Sequence, residues 1–165
     1  VREINGKLAR TARLAGIPMA VGSQYGTVKD GSAVASYTIV REEYPEGLLF
    51  ANVSALATPE EALKAVEMIG ASALEVHLNT AQELLMPEGD KEFAHLMENL
   101  LRLQEALEIP LVLKETGCGM AREQIQELHG LGFTCFNVAG PLRPSAVECR
   151  GIKNLPTGAY LPPGA

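Results

Sequence analysis

Nothing in the 165 residues approaches the ~20 consecutive apolar positions that a membrane-spanning helix needs, and no secretory leader is visible. Basic charge is also short. Lys and Arg number 14 against 20 Asp and Glu, and the net charge of −6 argues against a nucleic-acid or membrane-surface partner. Cysteine is sparse and odd in number: Cys118, Cys135 and Cys149 fit neither a disulfide framework nor a zinc motif, and read as reduced thiols in a cytoplasm. An initiator methionine is missing, since the chain opens at Val1 inside a helical pattern, so both ends read as cut. What is present is an ordinary globular composition, 47% hydrophobic and 21% charged, in a length suited to one domain around one core.

Hydrophobic periodicity divides most of the chain into alternating helices and strands. Ile4, Leu8, Ala12 and Ala15 recur at helical spacing, and Gly16 is placed as the stop. A short buried strand over 18–22 runs into Ser23 and Gln24, and 26–32 reads as loop. Val34, Tyr37 and Val40 mark one face of a helix that ends before Pro45, and 48–52 is the next strand, closing on Asn52. Thr58 as N-cap, Pro59 in the first turn and Glu61 completing a capping box open a helix with Leu63, Val66 and Ile69 as its buried stripe. Gly70 stops it. Ala73, Leu74 and Val76 alternate as a third strand. A longer helix from about residue 91 carries Phe93, Leu96, Met97, Leu100 and Leu107, and a fourth strand spans 110–114. Ile125, Leu128 and Leu131 mark a helix before a last strand over 134–138.

Five strands alternating with helices predict right-handed crossovers and a parallel sheet. Polar or glycine-rich clusters sit where each strand runs out: Gly22-Ser23-Gln24, Asn52, His77-Leu78-Asn79, Lys114-Glu115 and Ala139-Gly140. A doubly wound sheet gathers its ligand at one switch point, whereas a (β/α)8 barrel collects residues from successive strands, and the second pattern fits better. Five strands do not close such a barrel. The predicted fold class is therefore α/β, a partial TIM barrel over residues 1–140 followed by a Pro/Gly-rich irregular tail over 141–165, which holds half of the ten prolines.

The polar chemistry is densest after the third strand, where His77, Asn79, Gln82 and Glu83 precede the tight turn Pro87-Glu88-Gly89-Asp90. Singly, these residues read as loop and cap positions. Likewise Lys114-Glu115 alone reads as an exposed ion pair, Asn52 as a turn former and Ser23 as a cap, and His95 and His129 read as structural. Together the four residues after the strand indicate a site.

Those residues also carry a resemblance. VGSQ at 21–24, SYTIVR at 36–41, FANVS at 50–54, HLNTAQELLMPEGDKEF at 77–93 and VLKETGCGM at 112–120 resemble, in order and spacing, the type 2 isopentenyl diphosphate isomerases, flavin-dependent (β/α)8 barrels. The resemblance covers roughly residues 2–140, with HLN-x-x-QE and MPEGD its most specific part. It implies interconversion of isopentenyl and dimethylallyl diphosphate by allylic proton transfer in isoprenoid biosynthesis, with reduced FMN and Mg²⁺ and with NADPH as reductant. It further implies that Ser23, Asn52 and Lys114 contact FMN, that His77, Asn79 and Gln82 line the substrate pocket with His77 and Gln82 as catalytic candidates, and that Glu83 holds the metal. A single carboxylate suits Mg²⁺, which keeps several waters and takes substrate phosphate as well. The full-length enzyme is expected to be a cytoplasmic homo-oligomer.

Departures from the pattern are equally specific. Tyr25 stands where similar enzymes carry a basic or long apolar residue, and Pro141-Leu-Arg-Pro144 replaces a glycine-rich phosphate-binding segment. The chain is thus expected to be a fragment lacking the first strand and the C-terminal strands, with weakened FMN binding and exposed sheet edges. Two other readings stay open: an inactive remnant of the isomerase, and another FMN-dependent TIM barrel such as a hydroxy-acid oxidase.

Overall fold

The computed structural model describes residues 1–78, 93–115 and 119–138. Along the chain run α1 (Arg2–Ala15), β1 (Met19–Ala20), α2 (Tyr25–Asp30), α3 (Val34–Glu43), β2 (Leu49–Ser54), α4 (Pro59–Ile69), β3 (Ala73–His77), α5 (Leu96–Ala106), β4 (Leu111–Lys114), α6 (Arg122–Gly130) and β5 (Cys135–Asn137). The strands form one parallel sheet in the order β1-β2-β3-β4-β5, a curled half-barrel with alternating helices. The expected partial TIM barrel is borne out. The proposed tail lies outside the described residues. No helix among the described residues is long and apolar enough to cross a membrane.

Local signals act where the sequence places them. The Thr58 side chain accepts from the Glu61 backbone N–H at 3.3 Å, and Glu61 accepts in return from the Thr58 N–H at 2.8 Å, with Pro59 in the first turn. Gly16 and Gly70 end α1 and α4 in left-handed conformations, as expected. Strand polarity then sets the layers. Successive side chains point to opposite faces, so Leu49, Ala51, Val53, Leu74, Val76, Leu113 and Phe136 face the helices as a buried apolar layer. The partner positions Asn52, Glu75, His77, Lys114 and Asn137 lie on the concave face.

Three expectations need correction. Residues 26–32 are not all loop: α2 occupies Tyr25–Asp30, and Gly31, at φ 71, is its stop rather than part of an irregular run. The longer helix begins at Leu96 after His95 rather than near 91, leaving Phe93 outside it. The buried stripes of α1 and α4 also differ from those expected. In α1 the buried residues are Gly6, Ala9 and Ala12, whereas Ile4 is 62% and Leu8 52% exposed. In α4 they are Ala62, Ala65 and Ile69, with Leu63 exposed. Close helix packing selects small side chains over large ones here: a Cβ on Gly6 would stand 3.2 Å from Ile39 Cγ1 in α3.

Two polar side chains fasten loops that carry the strand ends. The Arg41 guanidinium donates to the carbonyls of Tyr44, Pro45, Gly47, Ile69 and Gly70, joining the end of α3 to the approach to β2 and the end of α4. Asn99 in α5 donates to the Ala55 and Ala57 carbonyls at 2.7 and 2.8 Å and so pins the loop that follows β2.

Candidate active site on the concave face

Parallel register brings Asn52 beside Glu75, Ser54 beside His77, and His77 beside Lys114. A carboxylate in a central strand needs compensation, because burying an unpaired charge is costly. Glu75, 6% exposed, receives it from both sides: Lys114 Nζ lies 2.9 Å from Oε2, and Asn52 Nδ2 donates to the same oxygen at 3.3 Å. The Lys114 side chain is 15% exposed, so Lys114 belongs to a largely buried pair with Glu75 and not to an exposed pair with Glu115. An ammonium has three N–H donors, and Glu75 occupies one of them.

Asn52 is a hub and not a turn former. Its Nδ2 also donates to the Val21 carbonyl at 3.2 Å, its backbone N–H donates to Gln24 Oε1 at 3.1 Å, and its carbonyl accepts from the Gln24 N–H at 2.7 Å. Gln24 is fully buried and gives its own Nε2 to the Ala65 carbonyl at 3.0 Å. Asn52 Oδ1 is buried with no partner among the described residues.

His77 closes the row. Its Nε2 lies 3.3 Å from Ser23 Oγ, bringing the end of β3 to the segment after β1, and its Nδ1 is buried without a partner among the described residues. Burial, and secondarily the positive charge of Lys114, push its pKa down from 6.5 to about 4, so the ring is neutral at neutral pH. Ser23 is further held at its carbonyl by the Tyr37 hydroxyl, at 2.5 Å.

The structure therefore brings Ser23, Asn52, His77 and Lys114 onto one face. Asn79, Gln82 and Glu83 lie outside the described residues, as do Cys118 and Cys149. Among the described residues no group of three or more His, Cys, Asp or Glu side chains is arranged to hold a metal. Cys135 is a free thiol. His95 is at the mouth of α5, largely exposed and 3.3 Å from Glu98, and His129 is exposed in the last turn of α6. Sequence reasoning missed Glu75 and the structural part of Gln24. The signal for Glu75 was its in-register place between an asparagine and the strand carrying Lys114.

No protein-family model matches the chain. Individual relatives do. The isopentenyl-diphosphate delta-isomerase of Bacillus cereus (strain AH820) is 43% identical over 137 residues, 83% of this chain and 39% of its own length. That of Staphylococcus epidermidis is 41% identical over 139 residues, 84% of this chain and 40% of its own. That of Listeria monocytogenes serotype 4b is 43% identical over 139 residues, with 84% and 39% covered. The chain is a partial match to isopentenyl-diphosphate delta-isomerases. The resemblance read from the motifs is borne out by these relatives, and the chain spans about two-fifths of their length.

Solved structures agree on the fold alone. Methylornithine synthase superposes with a TM-score of 0.54 at 19% identity, covering 85% of this chain and 44% of that protein. Dihydrodipicolinate synthase from Oceanobacillus iheyensis gives 0.50 at 18%, covering 76% and 41%.

Proposed function

We propose that this chain carries part of the active-site wall of a flavin-dependent isopentenyl-diphosphate delta-isomerase. The observation that supports the reading best is the continuous polar row Asn52–Glu75–Lys114, with Ser23 and His77 beside it, on the concave face of a half-barrel whose sequence is similar to those enzymes. Two buried atoms on that face without partners among the described residues, Asn52 Oδ1 and His77 Nδ1, suit a flat polar group offering both a donor and an acceptor, as the FMN ring does. When bound, reduced FMN would supply the proton-transfer chemistry, with NADPH as its source of electrons. Asn52 and Ser23 would orient that group. Lys114, held by Glu75, would present its remaining N–H donors to it. His77, Asn79 and Gln82 would line the pocket for a small diphosphate, and Glu83 would hold the Mg²⁺ beside that diphosphate. An amide such as Gln82 is a poor base, so its role here is to position the substrate. The assembled enzyme would be a cytoplasmic homo-oligomer.

The test is an anaerobic assay of the chain with isopentenyl diphosphate, FMN, Mg²⁺ and a reductant, following dimethylallyl diphosphate. Turnover that disappears in Gln82→Ala and Lys114→Ala is the expected result. No product at saturating FMN and Mg²⁺ overturns activity for this chain. It would favour the remnant reading.

A further inference from the structure

Ser23 Oγ has two neighbours of different kinds. The Tyr25 backbone N–H donates to it at 3.4 Å, and His77 Nε2 lies 3.3 Å away. A peptide N–H can only donate, so Oγ is an acceptor toward Tyr25. A hydroxyl that accepts one hydrogen bond becomes a stronger donor in the next, which favours a chain of bonds running in one direction. The order Tyr25 N–H, Ser23 Oγ–H, His77 Nε2 has that direction. A proton on Nε2 would instead make Oγ accept twice and leave its own hydrogen to find another acceptor.

We propose that Ser23 is a positioning residue that fixes His77 as the Nδ1–H tautomer, so that His77 meets its ligand as a neutral hydrogen-bond donor. The neutral ring has one proton to place, and two independent facts set that count. His77 is 9% exposed, and its neighbour in register, Lys114, already brings a positive charge to the row, with Glu75 as the counter-charge beside it. The depressed pKa agrees. With Nε2 accepting from Ser23, the buried Nδ1, unpartnered among the described residues, carries the hydrogen. The atom it suits is an acceptor oxygen, whether of a phosphate or of a ring carbonyl.

This deepens the proposed isomerase site and rests on that reading for the ligand, but not for the tautomer. It also gives His77 a binding role in place of proton transfer: a neutral imidazole whose one open nitrogen is already protonated cannot take up a proton there, and its low pKa makes it an unready acid.

The experiment is long-range ¹⁵N–¹H correlation spectroscopy of the labelled full chain near pH 7, without substrate or cofactor. His77→Gln identifies the His77 signals among the three histidines. A protonated Nδ1 with a bare Nε2 is expected. A protonated Nε2, or a doubly protonated ring, overturns the proposal. In Ser23→Ala the proton should shift toward Nε2, while Ser23→Thr, which keeps the hydroxyl, should retain the original pattern. A Ser23→Ala spectrum still showing pure Nδ1–H, with His95 and His129 unchanged, would remove Ser23 from the role. The spectrum of the unsubstituted chain decides the tautomer even where Ser23→Ala fails to fold. A failed turnover assay leaves this result standing, and the reverse holds as well.

Discussion

The two faces of the same five strands obey different rules. On the face toward the helices, Leu49, Val53, Leu74, Val76 and Leu113 are fully buried, and each contributes about 1.5–3 kcal/mol by leaving water. On the concave face, Asn52, Glu75 and His77 are almost as deeply buried, yet they are polar and held in place by specific partners. One face tolerates any apolar side chain of the right volume. The other depends on particular atoms at particular distances, and so carries the chemistry. The difference teaches that burial in this sheet separates scaffold from site only when read together with partners.

Substitutions can test that contrast, beginning with the largest effect. Glu75→Ala should cost about 3–5 kcal/mol, because it leaves the Lys114 ammonium without its counter-charge. Denaturant unfolding measures it, and a loss below about 1 kcal/mol would mean that solvent screens the pair. On the opposite face, Leu113→Ala should cost about 3 kcal/mol through lost transfer energy and an unfilled cavity. Leu113→Met should recover most of that, whereas no apolar replacement at Glu75 should restore the Lys114 geometry.

The smallest effect is a pH response. His77 has a folded pKa of about 4 against 6.5 unfolded. The unfolded chain therefore binds the proton first, and stability that is full above pH 6.5 falls as pH drops toward 4. The loss should stay below about 3.4 kcal/mol, the ceiling set by that shift. Unfolding midpoints across this window should fall in the parent chain and stay flatter in His77→Gln; identical slopes would show that the ring is not desolvated.

Much of the scaffold was legible because its signals are local. The Thr58–Glu61 capping box, the stops at Gly16 and Gly70 and the five alternating strands each depend on residues within one element or its flank. The stripes of α1 and α4 were not, because periodicity ranks side chains by hydrophobicity, while close helix approach at Gly6, Ala9 and Ala62 ranks them by size. At the site, Ser23, Asn52, His77 and Lys114 were found from their places at strand ends. Glu75 was passed over because the alternation of Leu74 and Val76 drew attention to the other face. Its partners Asn52 and Lys114 lie 23 and 39 positions away, a separation no short pattern spans.

Strand order has a consequence for how the molecule is made. Among the described residues, each strand pairs only with the strand just before or after it in sequence. Each later strand thus finds its template already formed as it emerges from the ribosome. Assembly can advance from the N-terminal end one crossover at a time, with modest loss of chain entropy at each step. Asn99 adds a latch to that sequence: α5 docks one strand after the Ala55–Ala57 loop appears and adds two hydrogen bonds to a turn already held by Tyr25 and Ser54.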